Sequence, residues 1–188
     1  PIIELGTSAK MLSVVPLLKG GGLFETGAGG SAPRHVQQFL EEDHLRWDSM
    51  GEFMAMMVSL EHMGDKQGNP RAAVLSQTLD RATARFLEED RSPSRKSGEL
   101  DNRGSHVWLA RYWAEELANQ DEDKDLKEHF QKMSKKLEDN ADQILQELID
   151  IQGQSVDIDG YYYPDAQKIK QAMRPSETLN AIIDEFVD

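Results

Sequence analysis

The chain has 188 residues, 38% of them hydrophobic and 29% charged, with a formal net charge of −13 at pH 7. That is enough apolar material for a packed domain, while so acidic a chain argues against a general nucleic-acid role. With no cysteine, disulfides, thiolate zinc sites and cysteine nucleophiles are excluded together, and no apolar run approaches the roughly 20 residues that span a bilayer.

The chain opens on Pro1-Ile2-Ile3-Glu4-Leu5, an apolar run with no polar preamble. The expectation is a fragment or a processed product, with residues 1–12 forming the edge of a preceding domain. No signal or transit pattern is read at its start, which gives a cytoplasmic expectation. Residues 2–5 and 23–26 are the expected short strands, with a helix over 9–18 between them that Pro16 kinks or ends. The glycines at 20–22, 27, 29 and 30 break the chain, and Ser31-Ala32-Pro33 opens a helix whose first turn tolerates proline. From there helical periodicity dominates. Val36, Phe39 and Leu40 share one face. Phe53, Met56, Met57 and Leu60 share the next, and Val74, Leu75, Leu79, Ala82 and Phe86 follow a helix start at Pro70. Residues 91–103 read as a polar loop, 107–117 as an aromatic helix, and 126–151 as one long amphipathic helix with Leu137, Ile144, Leu145 and Leu148 on its face. Asp121-Glu122-Asp123 is expected in that helix's first turn, where the dipole favours acids. A turn-rich loop over 153–164 carries Tyr161-Tyr162-Tyr163, and two short helices close the chain. The fold expected is mainly α, with a few short strands near the N-terminus and a glycine-rich phosphate-binding loop.

The strongest local chemical signal is Gly27-Ala28-Gly29-Gly30-Ser31-Ala32-Pro33. Small residues expose backbone N–H groups, and a helix N-terminus follows, so the segment suits an anion, phosphate above all. Gly27, Gly29 and Ala32 match the dinucleotide pattern, and Asp48 lies about 20 residues on, where a ribose-binding acid is expected. Yet residues 35–41 are helical where a second strand should run, so a helix cap followed by a turn is an equal reading. Two basic groups stand out in the acidic chain: Arg34, His35 and Arg46, and then Arg91, Arg95, Lys96 and Arg103. Arginine's planar donors suit phosphate; ordinary ion pairing with nearby glutamates is the competing account. The histidines show no metal-ligand spacing. Met54, Met56, Met57 and Met63 read as core packing.

Several long strings carry a resemblance. They are Glu4-Leu5-Gly6-Thr7-Ser8-Ala9-Lys10-Met11-Leu12, the run from Gly20 to Pro33, His35-Val36-Gln37-Gln38-Phe39, Leu45-Arg46-Trp47-Asp48-Ser49, Ser92-Pro93-Ser94-Arg95-Lys96, residues 98–106, and Gly160-Tyr161-Tyr162. Together they resemble the C-terminal region of the monomeric-type NADP-dependent isocitrate dehydrogenases. That family oxidises isocitrate by hydride transfer to NADP and decarboxylates the product with the help of Mg or Mn. The resemblance implies that Ser31 with Gly30 meets the cofactor's phosphates and that His35 contacts NADP beside the loop. It further implies that Arg46 and Asp48 hold the adenosine end and that Arg95 adds a charge contact there. The family's metal-binding aspartates and a substrate-binding arginine precede the string that opens here. The chain over residues 1–188 is therefore expected to be a cofactor-binding portion that needs the missing N-terminal part for activity, with no nucleic-acid or membrane partner. A non-enzymatic helical interaction module of the same descent and an unrelated phosphate-handling enzyme are the alternatives.

Overall fold

A computed structural model describes residues 32–159 and 164–187. The short strands expected at 2–5 and 23–26, the helix over 9–18, the 1–12 domain edge, most of the glycine-rich loop with Gly30 and Ser31, and Tyr161–Tyr163 lie outside the described residues.

Seven helices occupy the described residues, with no strand among them: α1 (Ala32–Glu42), α2 (Met50–Gln67), α3 (Pro70–Glu88), α4 (Asn102–Asn119), α5 (Lys124–Asp150), α6 (Ala166–Met173) and α7 (Glu177–Val187). Their ends are written in short polar side chains. Gly68 closes α2 in the left-handed conformation at φ 63°, a backbone that glycine adopts without steric cost. Asn69 then caps α3, its Oδ1 accepting from the Ala72 N–H at 3.2 Å, and Pro70 takes the first helical position. Asp101 caps α4 through the N–H groups of Arg103 and Gly104, and Asp123 caps α5 through Leu126. The acidic run Asp121–Asp123 thus precedes α5 rather than forming its first turn. A side chain that accepts from the first-turn N–H groups must stand just outside the helix.

Helix α4 is the centre of the bundle. One side of it, with Leu109 and Tyr112 buried and Trp108 and Trp113 partly so, packs on Leu79, Ala82 and Phe86 of α3 and on Phe53, Met57 and Leu60 of α2. Its other side, Val107 and Ala114, packs on Leu137, Ile144 and Leu148 of α5 and Ile182 of α7. A third core joins Val36 and Phe39 of α1, Leu45 and Trp47 of the extended segment after α1, Ile158, and Ile169, Ala172 and Met173 of α6. Helices α2 and α3 approach closely at Gly64, where an added Cβ would lie 2.9 Å from the Ala73 Cβ.

Two further sequence expectations fail. Met54, Met56 and Met63 are not core: they are 50%, 39% and 37% exposed, together with Val58 at 55%, and only Met57 of that group packs inward. Helix α2 is apolar around much of its circumference, so periodicity alone does not say which side is buried. Arg103 is the second. It lies within α4, not in the loop before it, and only 2% of its side chain is exposed.

Candidate functional site

Arg103 organises the ground on which the expected cofactor residues stand. Its Nε donates to Asp101 Oδ2 at 2.7 Å. One terminal nitrogen donates to Asp43 Oδ1 at 2.8 Å and the Ala172 carbonyl at 2.7 Å, and the other to the Asp43 carbonyl at 2.5 Å. It therefore ties the end of α1, the start of α4 and α6 into one knot. The arginine is fully engaged and holds structure, so it leaves the group of cations offered to a phosphate. Arg91 leaves it too: it donates to Tyr112 Oη and Glu89 and lies 4.0 Å over the Trp108 ring. Lys96 faces Glu99 at 3.8 Å. Arg46 and Arg95 form no ion pair among the described residues.

The extended segment 44–49 carries Arg46 and Asp48, and α4 pins it from beneath. The Asn102 N–H donates to the Leu45 carbonyl at 2.6 Å, and its side-chain amide donates to the Trp47 carbonyl at 2.7 Å and to Ser49 Oγ at 2.9 Å. The segment runs against α1, where the His35 and Trp47 rings meet edge to face with centroids 5.6 Å apart. Burial, and secondarily the Arg46 charge beside it, holds the His35 ring below its usual pKa, so it is largely neutral at pH 7. Asp48 is exposed at the entrance to α2, with Oδ1 accepting from the Met50 N–H at 2.9 Å.

The loop with Arg95 is drawn to the same side of the molecule. Gln38, one turn along α1 from His35, donates to the Arg95 carbonyl at 3.0 Å. The fully buried His44 stands between the Gln152 amide oxygen at 2.7 Å and the Ser94 carbonyl at 2.9 Å. The backbone of Arg95 is thereby fixed while its side chain is exposed. So the structure brings His35 and Trp47 into contact, carries Arg46 and Asp48 on the same segment as Trp47, and holds the backbone of Arg95 against α1. Gly30 and Ser31 lie outside the described residues.

The sequence reading missed Glu52, Asn102 and His106, which lie under this segment. His106 is close-packed on Phe53, and burial holds its ring down at about 4 despite the pull of the Asn102 carbonyl. Glu52 is 5% exposed, and burial raises its carboxyl above the usual range. The spacing Ser49-Met50-Gly51-Glu52 is a sequence signal for a capping box, in which the glutamate would turn back to the serine N–H. No such bond forms, and Ser49 Oγ makes no cap bond to α2 but serves Asn102 instead.

The residues present suit a phosphate-bearing group: among the described residues Arg46 Nε and a His35 ring nitrogen are buried with no hydrogen-bond partner, and Arg95 is an exposed cation. They do not fit a divalent metal: among the described residues no three histidine or acidic side chains converge on one point.

Comparison with known proteins places the chain in one family. The family model described as monomeric isocitrate dehydrogenase matches residues 1–184. The chain is 61% identical to isocitrate dehydrogenase (NADP) 2 of Psychrobacter sp. strain 13A and 60% identical to isocitrate dehydrogenase (NADP) of Azotobacter vinelandii. Each match covers 97% of this chain. It is 58% identical to isocitrate dehydrogenase (NADP) 2 of Mycobacterium tuberculosis over 98% of the chain. The chain spans 25% of the length of each of these relatives.

Proposed function

The chain belongs to the monomeric isocitrate dehydrogenase family, and on that premise we propose that it is the C-terminal, cofactor-binding portion of an NADP-dependent isocitrate dehydrogenase. The observation that carries the reading is the packing of Trp47 against His35, on the segment that also carries Arg46 and Asp48, beside a loop that presents Arg95 free of any ion pair among the described residues. In this reading Arg46 and Arg95 take the 2′-phosphate, whose nearly two negative charges an otherwise acidic protein repels. Neutral His35 lies beside the phosphates without adding charge. Asp48 accepts from a ribose hydroxyl or the adenine amine. The N–H groups of Gly30 and Ser31 meet the remaining phosphates at the opening of α1.

NADP supplies the hydride acceptor when bound. The chain's own work is to seat and orient it. The Mg or Mn ligands and the isocitrate-binding groups are assigned to the N-terminal polypeptide, and the protein to the cytoplasm. The chain alone therefore binds part of a cofactor and turns nothing over. The relatives' names, all of enzymes, favour this reading over a helical interaction module. The test is calorimetric titration of the 188-residue chain with 2′,5′-ADP and with 5′-AMP. A clear preference for the 2′-phosphorylated nucleotide is expected, and equal or absent binding of the two ends the proposal.

A further inference from the structure

His44 is fully buried, and each of its ring nitrogens faces an oxygen. Nδ1 meets the Gln152 amide oxygen at 2.7 Å and Nε2 the Ser94 carbonyl at 2.9 Å. A carbonyl oxygen only accepts. The Gln152 amide is not free to turn its nitrogen to the ring, because three other bonds fix it. Its oxygen accepts from the Gly98 N–H at 2.7 Å, and its nitrogen donates to the carbonyls of Glu99 at 3.1 Å and Leu148 at 3.2 Å. A flip would set donor against donor at Gly98 and oxygen against two carbonyl oxygens. A neutral imidazole has one N–H and one bare nitrogen, so one of its two contacts would press lone pair on lone pair. Only a ring with both protons donates twice.

A buried charge needs a counter-charge. Asp43 precedes His44 in the chain, and Asp101 Oδ2 accepts at 3.4 Å from the N–H of Leu45, which follows it. Arg103 pairs with both aspartates and cancels one of their two charges. The cationic ring cancels the other. On the surrounding elements Glu42 is bonded to Gln38 and Asp150 to Gln146, while Lys96 and Glu99 face each other and Arg95 is exposed. The ring and Gln152 thus tie the loop, at Ser94, Gly98 and Glu99, to the segment that opens at His44. The loop carries Arg95, and the segment carries Arg46.

We propose that His44 is a positioning residue of the nucleotide site: its doubly protonated ring clamps the loop of Arg95 to the segment of Arg46, so that both cations reach one 2′-phosphate. The inference rests on the nucleotide-binding reading given above. Loss of the second proton turns one of the two bonds into a repulsion, and the clamp opens there.

The experiment uses the 188-residue chain labelled with nitrogen-15, its His44 ring assigned through the backbone. At about pH 7.5 a free imidazole is largely neutral. Both His44 ring nitrogens are nevertheless expected to carry protons and show the shifts of an imidazolium, and one bare nitrogen overturns the proposal. Calorimetry with 2′,5′-ADP and 5′-AMP then reads the clamp. His44→Gln, which cannot donate in both of the ring's directions, is expected to lose about 10-fold of the preference for 2′,5′-ADP, the size of one charge-assisted contact, with 5′-AMP little affected. The wild type approaches the same loss as rising pH removes the second ring proton, and His44→Gln has no such profile. The 2′-phosphate is already fully charged in that range, its second pKa being about 6, and His35 is already largely neutral. A histidine that only supports the fold gives His44→Gln a lower melting temperature with the preference unchanged, which overturns the proposal and leaves the nucleotide reading intact. Should His44→Gln fail to fold, the ring shifts and the pH profile of the wild type decide. A wild-type chain that does not bind 2′,5′-ADP overturns the nucleotide reading and the role of His44 with it.

Discussion

At the scale of single residues, Arg95 and Arg103 stand eight positions apart in one basic stretch and do opposite things. Arg103 is enclosed by Asp101, Asp43 and the Ala172 carbonyl. Its replacement by leucine leaves buried carboxylates unpaired and is expected to lower stability by about 3–5 kcal/mol in a denaturant titration. Arg95 has an exposed side chain on an anchored backbone, so Arg95→Ala leaves stability within about 0.5 kcal/mol of the wild type. Its effect falls on binding: affinity for 2′,5′-ADP drops roughly 10-fold and that for 5′-AMP much less, read by calorimetry. Residue type and spacing do not separate the two arginines in the sequence. What separates them is the capping aspartate two residues before Arg103, together with Asp43, sixty residues away, which only the fold brings near. His106 adds a pH dependence. Its ring protonates near 6.5 when unfolded and near 4 when folded, so between those values the unfolded state binds more protons and stability falls as pH drops. The raised carboxyls of Asp43 and Glu52 act with the opposite sign in the carboxylate range, since the folded state keeps their protons longer. The stability difference between wild type and His106→Phe isolates the histidine. It is expected to shrink or reverse as pH falls from 6.5 to 4.5 and to stay constant above pH 7.5.

At the scale of elements, helix existence was legible and helix orientation only partly so. Most of the residues that periodicity places on α1, α3 and α5 are buried, with Leu40 and Leu145 only partly so and Leu75 in none of the cores, because each of those helices has one apolar stripe. Helix α2 has apolar residues on several sides. The sequence could not tell Met57, which packs on α3, from Met54 and Met56, which do not. The close approach of α2 and α3 at Gly64 was equally invisible, since a glycine inside a helix reads as a defect until its neighbour is known. Gly64→Val puts a Cβ 2.9 Å from the Ala73 Cβ and 3.1 Å from its backbone, and is expected to cost about 1–3 kcal/mol by thermal or chemical unfolding. The cofactor residues were named from long matching strings. Asn102 and His106 fall within a matching string and Glu52 within a capping-box spacing, yet neither signal shows that they lie buried under the segment 44–49, which only the fold records.

At the scale of the whole molecule, the chain covers a quarter of its relatives' length and, among its described residues, gathers no metal-ligand set. Purified alone, it is expected to show no isocitrate-dependent reduction of NADP with Mg or Mn, and to gain activity only when mixed with the polypeptide corresponding to the other three quarters. Turnover by the chain alone would refute the division of labour proposed above. The outward-facing methionines of α2 make that mixture readable in another way. Thioether sulfur takes up an oxygen atom from peroxide at a rate governed by access. Met54, Met56 and Met63 should therefore become sulfoxides well before Met173, which is 4% exposed. Mass spectrometry of timed peroxide treatment turns that ordering into a clock for each sulfur. If the same three clocks slow when the second polypeptide is added, the helix has been covered; if they keep their pace, the two polypeptides meet elsewhere.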